Sequence, residues 1–297
     1  MPARSLMDTL AQRPLLCDGG MGTQLIARGL EAGQCADLWN LDRPDDVRAV
    51  HAAYRAAGCD LLTTCSFQAN RQALSMHGMA EQVEAINRAA AGHARDAAGD
   101  GAWVMGDMGP SGVFLEPMGE ATESQLQQLF AEQAAALRAG GADGLIIETM
   151  SDAQELAIAV RAGKSVADWP IIATFAFERG QDGTYRTMMG TTAADAMRAA
   201  IDAGADVVGA NCGTALSLTD YAALARELVA AAGGVPVIVQ PNAGTPVQGP
   251  DGVTHPAGVA DMAAAVPDLL AAGVRIIGGC CGTTPEHLRA MGQRMAR

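Results

Sequence analysis

Eight short runs rich in Val, Ile, Leu, Ala and Met punctuate the chain, at 15–19, 60–67, 102–108, 144–149, 170–177, 206–212, 236–241 and 274–280, with Ala-rich stretches between them. Near-continuous apolar runs suit strands covered on both faces in a parallel sheet, because a strand with one wet face alternates apolar and polar residues. Parallel neighbours cannot be joined by a tight turn and need a crossover. The segments 123–139 and 191–203 supply candidates, with Leu, Met, Ile and Phe at helical spacing. Four runs are entered through similar exits: AGCD at 57–60, GGAD at 140–143, AGAD at 203–206 and AGVR at 272–275. Glycine there suits the left-handed cap that ends a helix before a turn into a strand.

Eight such units in 297 residues predict an α/β chain folded as a single (β/α)8 barrel over 1–297. An open doubly wound sheet uses the same parts, and the polar residues decide between them. Asp18, Thr63, Thr64, Asp107, Glu148, Cys212, Asn242, Cys280 and Cys281 all fall at the C-terminal ends of their runs. A barrel mouth collects groups from nearly every strand end, whereas an open sheet uses mainly its switch point. The Gly-, Pro- and Thr-rich segment 242–256 is expected as a loop at that mouth.

Lys+Arg 20 against Asp+Glu 33 leaves a net charge of −13, which argues against nucleic acid or an anionic membrane as partner. No basic-then-apolar leader opens the sequence and no apolar stretch is long enough to span a bilayer, so a cytoplasmic protein is expected. Seven cysteines form an odd set without regular spacing. In a reducing compartment that favours free thiols and a metal site over disulfides.

Cys212, Cys280 and Cys281 each follow a short β-type run. Three thiolates would leave one position of a tetrahedral zinc open, the mark of a catalytic site, and a soft sulfur-rich site suits a thiolate substrate. Adjacent residues on a strand face opposite ways, so Cys280 and Cys281 can share a metal only where the strand ends or bulges, which Gly278, Gly279 and Gly282 allow. Two other readings stand beside this one: small apolar core residues, or a vicinal redox pair.

Asp18 precedes a Gly19-Gly20 pair, and Glu148 ends an apolar run. A carboxylate buried at a strand end is costly unless it meets a cation, so the two suit an α-ammonium, with the Gly19 and Gly20 amides able to cradle a carboxylate. Each acid alone could equally cap a following helix. Asp107, in GDMGPSG, belongs to a substrate-facing loop or a plain turn. The Gly-rich pieces match no phosphate-binding pattern and the five histidines show no HExxH spacing. His255 and His287 are expected at the surface.

The segments DGGMGTQL (from Asp18), AGCDLLTTCSF (57–67), GDMGPSG (106–112), LIIETMSD (145–152), GANCG (209–213), PNAG (241–244) and GGCCGTTPEH (278–287) occur in order along almost the whole chain. In them the sequence resembles the homocysteine S-methyltransferase family, whose barrel also forms the first module of cobalamin-dependent methionine synthase. The resemblance implies Zn2+ held by Cys212, Cys280 and Cys281. It further implies an L-homocysteine ammonium held by Asp18 and Glu148, its carboxylate on the amides near Gly19 and Gly20, and Thr64 near the amino-acid end. The reaction it implies is attack of the homocysteine sulfur on an electrophilic methyl group to give methionine. Asp107 and Asn242 are candidates for the donor side.

Donor choice turns on aromatic content. Betaine-using relatives ring a quaternary ammonium with aromatics, whereas this chain is 4% aromatic and carries Gln68 and Thr149 where those relatives have tyrosines. The ETMSD and PNAG runs look closer to the methionine synthase module, yet the sequence ends 16 residues after Cys281. The expectation is a stand-alone acceptor module taking methyl from a methyl-corrinoid (methylcobalamin) on a separate protein. S-methylmethionine- or betaine-dependent transfer is the alternative. From other classes, a zinc hydrolase would want histidine ligands and a general base, and a redox-sensitive zinc-binding protein would need only the cysteines.

Overall fold

The computed structural model describes residues 5–31, 33–214, 216–249 and 252–295. Its central sheet has eight parallel strands: β1 Leu15–Leu16, β2 Leu61–Thr63, β3 Trp103–Met108, β4 Gly144–Met150, β5 Ile171–Phe175, β6 Val207–Asn211, β7 Val237–Gln240 and β8 Ile276–Ile277. Their order is β1-β8-β7-β6-β5-β4-β3-β2. The two end strands meet through a Cys17–Leu61 bridge, with Asp18 N donating to Leu61 O at 3.1 Å and Asp60 N to Leu16 O at 2.7 Å. That contact closes the sheet into the expected barrel.

Strand parity sorts the side chains into two cores. Leu15, Leu61, Met105, Ile146, Ile172, Val207, Ile238 and Ile276 point to the axis, where Leu6 and Leu10 of the first helix, Leu6–Gln12, plug the lower end. Their neighbours Leu16, Leu62, Val104, Leu145, Ile171, Val208, Val239 and Ile277 face outward under the surrounding helices. Two residues further along the inner face, the apolar plug gives way to Thr63, Asp107, Glu148, Thr174 and Gln240. The barrel is therefore packed at its base and polar at its mouth.

The four anticipated helix exits all take left-handed backbone, with φ of 99° at Gly58, 105° at Gly141, 102° at Gly204 and 100° at Gly273. In three of them the following aspartate latches the preceding strand. Asp60 accepts from Leu16 N at 3.0 Å, Asp143 from Val104 N at 2.9 Å and Asp206 from Ile171 N at 2.8 Å. Each latch also meets a cation: Arg13, Arg95 and Lys164 in turn.

Two excursions depart from the sequence reading. The run at 170–177 is not one strand: β5 stops at Phe175, and Phe177 begins an antiparallel hairpin, Phe177–Arg179 with Tyr185–Thr187. Segment 242–256 lies at the mouth as expected, but it pairs Val247–Gly249 with Gly252–Thr254. No helix among the described residues is long and apolar enough to cross a membrane.

Candidate metal and substrate site

β6 ends at Asn211 and the chain turns at once, with Cys212 at φ 54° and Gly213 at φ 100°. β8 ends at Ile277, so Cys280 and Cys281 lie in a turn beyond the sheet, where strand alternation no longer separates them. Gly282 makes that turn possible. Its φ is 79°, and a Cβ there would lie 2.3 Å from His255 Cβ. Gly20 is equally constrained, since its Cβ would lie 2.7 Å from Cys280 O.

The three sulfurs converge, all within 4.8 Å of one another, with Cys280 Sγ 4.0 Å from Cys281 Sγ. Tetrahedral zinc with Zn–S bonds of about 2.3 Å places its sulfurs about 3.8 Å apart. The trio fits that metal. Hydrogen bonds from the Cys280 and Cys281 thiols pull Cys212 down into the thiolate range while their own pKa values rise.

Asn242 ties the two cysteine turns together. Its Nδ2 donates to Gly213 O at 2.8 Å and its Oδ1 accepts from Cys281 N at 3.1 Å. Tyr221 Oη donates to Cys212 O, and Thr283 Oγ1 donates to Cys280 O at 2.7 Å while accepting from Gly20 N at 3.1 Å. The Gly20 amide is thus already engaged.

Beside the sulfurs lies a chamber of about 360 Å³ walled by Gly19, Gly20, Thr64, Gln68, Asp107 and Glu148 among others. Asp37 lines it too, and no Lys, Arg or His does among the described residues. Burial pushes Glu148 up to about 8, helped by the charge of Cys212, and Asp37 up to about 7. Asp18 is 1% exposed and turned toward β2, accepting Thr63 N at 2.8 Å and Thr63 Oγ1 at 3.0 Å. Burial raises it to about 7 in spite of those bonds. Neither Asp18 nor Glu148 caps a helix; the helix Met21–Ile26 starts at Gly20 without a side-chain cap.

Thr149 and Cys212 also face a second chamber of about 380 Å³ with apolar walls from Val113, Phe114, Leu115, Met188 and Met189. Phe114 and Met188 are exposed at its rim. His287 is not at the surface as expected. It is 8% exposed and bonds Thr284 Oγ1 at 2.8 Å at the head of the helix Pro285–Arg294. His255 packs against Gly282. Sequence reading missed Tyr221 and Thr283, whose roles arise only when turns from different strands meet.

An eight-stranded barrel with three convergent thiols at the C-terminal ends of its strands, beside an acid-lined chamber, defines a barrel with a thiol cluster able to hold a metal. A family model described as homocysteine S-methyltransferase matches residues 15–295. The chain belongs to the homocysteine S-methyltransferase family.

It is 32% identical to methionine synthase of Mycobacterium tuberculosis over 314 aligned residues, and 32% identical to methionine synthase of Mycobacterium leprae. Each alignment takes in 98% of this chain, which spans about a quarter of the length of those relatives (25%). The metallated crystal structure of the Escherichia coli homocysteine methyltransferase MmuM superposes with a TM-score of 0.78 at 27% identity, covering 99% of this chain and 100% of that one. The carboxyl transferase domain of Rhizobium etli pyruvate carboxylase, at 13% identity and a TM-score of 0.53, shares the fold alone.

Proposed function

We propose that this barrel acts as one module that methylates the thiol of L-homocysteine to give methionine. The observation that carries the reading is the convergence of Cys212, Cys280 and Cys281 within 4.8 Å beside a chamber lined with carboxylates and, among the described residues, lacking basic side chains. Those three sulfurs would hold Zn2+, whose Lewis acidity favours the thiolate form of a thiol substrate at neutral pH. Glu148 on the wall, with Asp18 behind it, supplies the negative field that orients an α-ammonium, and the Gly19–Gly20 turn faces the same space. Asn242 and Tyr221 keep the cysteine turns in register, so the sulfurs are arranged before substrate arrives.

The donor is a methyl-corrinoid carried on a partner. Support comes from the two methionine synthase relatives and from a chamber whose wall offers, among the described residues, Phe67 but no aromatic cage for a quaternary ammonium. The second chamber, with exposed Phe114 and Met188, gives such a donor an apolar approach to the Cys212 side. Assaying the purified zinc-loaded protein with homocysteine and methylcobalamin, S-methylmethionine or betaine tests this. Turnover with methylcobalamin alone is expected. Efficient turnover of either onium donor without corrinoid would overturn the donor assignment, and no methionine from any of the three would overturn the activity.

A further inference from the structure

Among the described residues, one buried carboxylate oxygen in the chamber has no protein partner: Asp107 Oδ1. Asp107 is 6% exposed. It follows Met105 by two positions and so faces the barrel axis, as Glu148 does after Ile146 on the neighbouring strand.

Its backbone is fixed by a closed ring of hydrogen bonds. Asp107 N donates to Thr64 Oγ1 at 2.8 Å, the Thr64 and Ser66 hydroxyls lie 2.6 Å apart, and Ser66 Oγ donates to Asp107 O at 2.7 Å. Ser66 has one hydroxyl proton, and a carbonyl can only accept. Thr64 must therefore donate to Ser66, which assigns every proton in the ring. The ring holds Asp107 in place and leaves its carboxylate free.

A buried carboxylate oxygen without a partner is costly. Asp18 avoids that cost through Thr63. No basic side chain lines the chamber among the described residues, so a cation that answers Asp107 must come with the ligand.

We infer that Asp107 binds the α-ammonium of the acceptor amino acid together with Glu148, and that Thr64 and Ser66 are positioning residues for it. The inference rests on the homocysteine reading. An ammonium brings three N–H donors, and two carboxylates on adjacent strands meet more of them than Glu148 alone. It moves Asp107 from the donor side, where the sequence put it, to the acceptor side. Thr64 then acts on the Asp107 backbone and not on the ligand.

Calorimetric binding of L-homocysteine and of 4-mercaptobutanoate, its analogue without the amino group, to the zinc-loaded protein tests this. The wild type should prefer homocysteine. Asp107→Asn should cut that preference about tenfold or more, the worth of one charge-assisted hydrogen bond, and leave 4-mercaptobutanoate binding unchanged. Ser66→Ala, which opens the ring and keeps the carboxylate, should cut it less. An undiminished preference in Asp107→Asn would overturn the inference, as would loss of affinity for both thiols alike in both variants. Equal, tight binding of both thiols by the wild type would overturn it and leave thiol recognition standing. Failure of the wild type to bind either would sink the proposed function itself.

Discussion

Asn211 and Thr149 hold each other across the mouth of the barrel. Asn211 Nδ2 donates to Thr149 Oγ1 at 2.7 Å, and Thr149 N donates to Asn211 Oδ1 at 2.7 Å. Thr149 has a φ of 63°, a strained value for a β-branched residue, and Cys212, next after Asn211, has a φ of 54°. One amide thus fixes two left-handed residues, one following Glu148 and the other a sulfur donor.

Asn211→Ala should therefore damage both fold and metal binding. Thr174 Oγ1 also donates to Asn211 Oδ1, at 2.7 Å, so the change strands several polar groups. The expected cost is about 2–4 kcal/mol by urea denaturation. Zinc affinity, read by competition with a chromophoric chelator, should fall about tenfold or more. Unchanged zinc affinity would show that the turn at Cys212 holds itself.

Removing any one of the three sulfurs should empty the site. Reduced wild-type protein should carry stoichiometric zinc by elemental analysis, and Cys212→Ser, Cys280→Ser and Cys281→Ser should retain little. Cys35→Ser, at a thiol well outside the trio, should keep full occupancy. Peroxide should release the metal from wild type, and thiol plus zinc should restore it.

The three strand latches should rank by burial. The aspartate side chains are 8% exposed at Asp143, 17% at Asp60 and 33% at Asp206. Asp143→Ala should cost most, about 1–3 kcal/mol, because it strands Val104 N and a half-buried Arg95. Asp206→Ala should cost least, since solvent screens its pair with Lys164. Denaturant midpoints for the three variants decide the order.

His51 should set part of the acid limit. It is fully buried, neither ring nitrogen has a partner among the described residues, and burial with nearby His93 lowers its pKa to about 3. The unfolded chain binds this proton below about pH 6.5, and the folded chain does not until far lower. Stability from His51 is complete above that pH and is lost on acidification at up to about 1.4 kcal/mol per pH unit. The stability of His51→Leu relative to wild type should improve by about 2–3 kcal/mol between pH 7 and pH 4.5. A constant difference across that range would mean that His51 titrates normally.

Much of this was legible in the sequence because periodicity and strand ends are local. Runs such as 144–149 and 206–212 identify themselves by apolar continuity, and Glu148 and Cys212 stand at their ends. The paired cysteines could be read as sharing a site because flanking glycines announce a turn. The fate of Asp18 was not legible, since it depends on Thr63, 45 positions away, reaching its carboxylate first. The hairpin after β5 was hidden for a different reason. Phe177 is as buried as any strand residue, so the apolar run continues through a change of direction.

Gly20 and Thr283 are 263 positions apart, yet their contact braces the turn that carries Cys280 and Cys281. A growing polypeptide that has finished β6 displays Cys212 alone. The second and third sulfurs lie beside it only once β8 has taken its place between β7 and β1. A metal held by all three sulfurs would therefore require the last strand to be in place, and its occupancy would report that the cylinder has been completed.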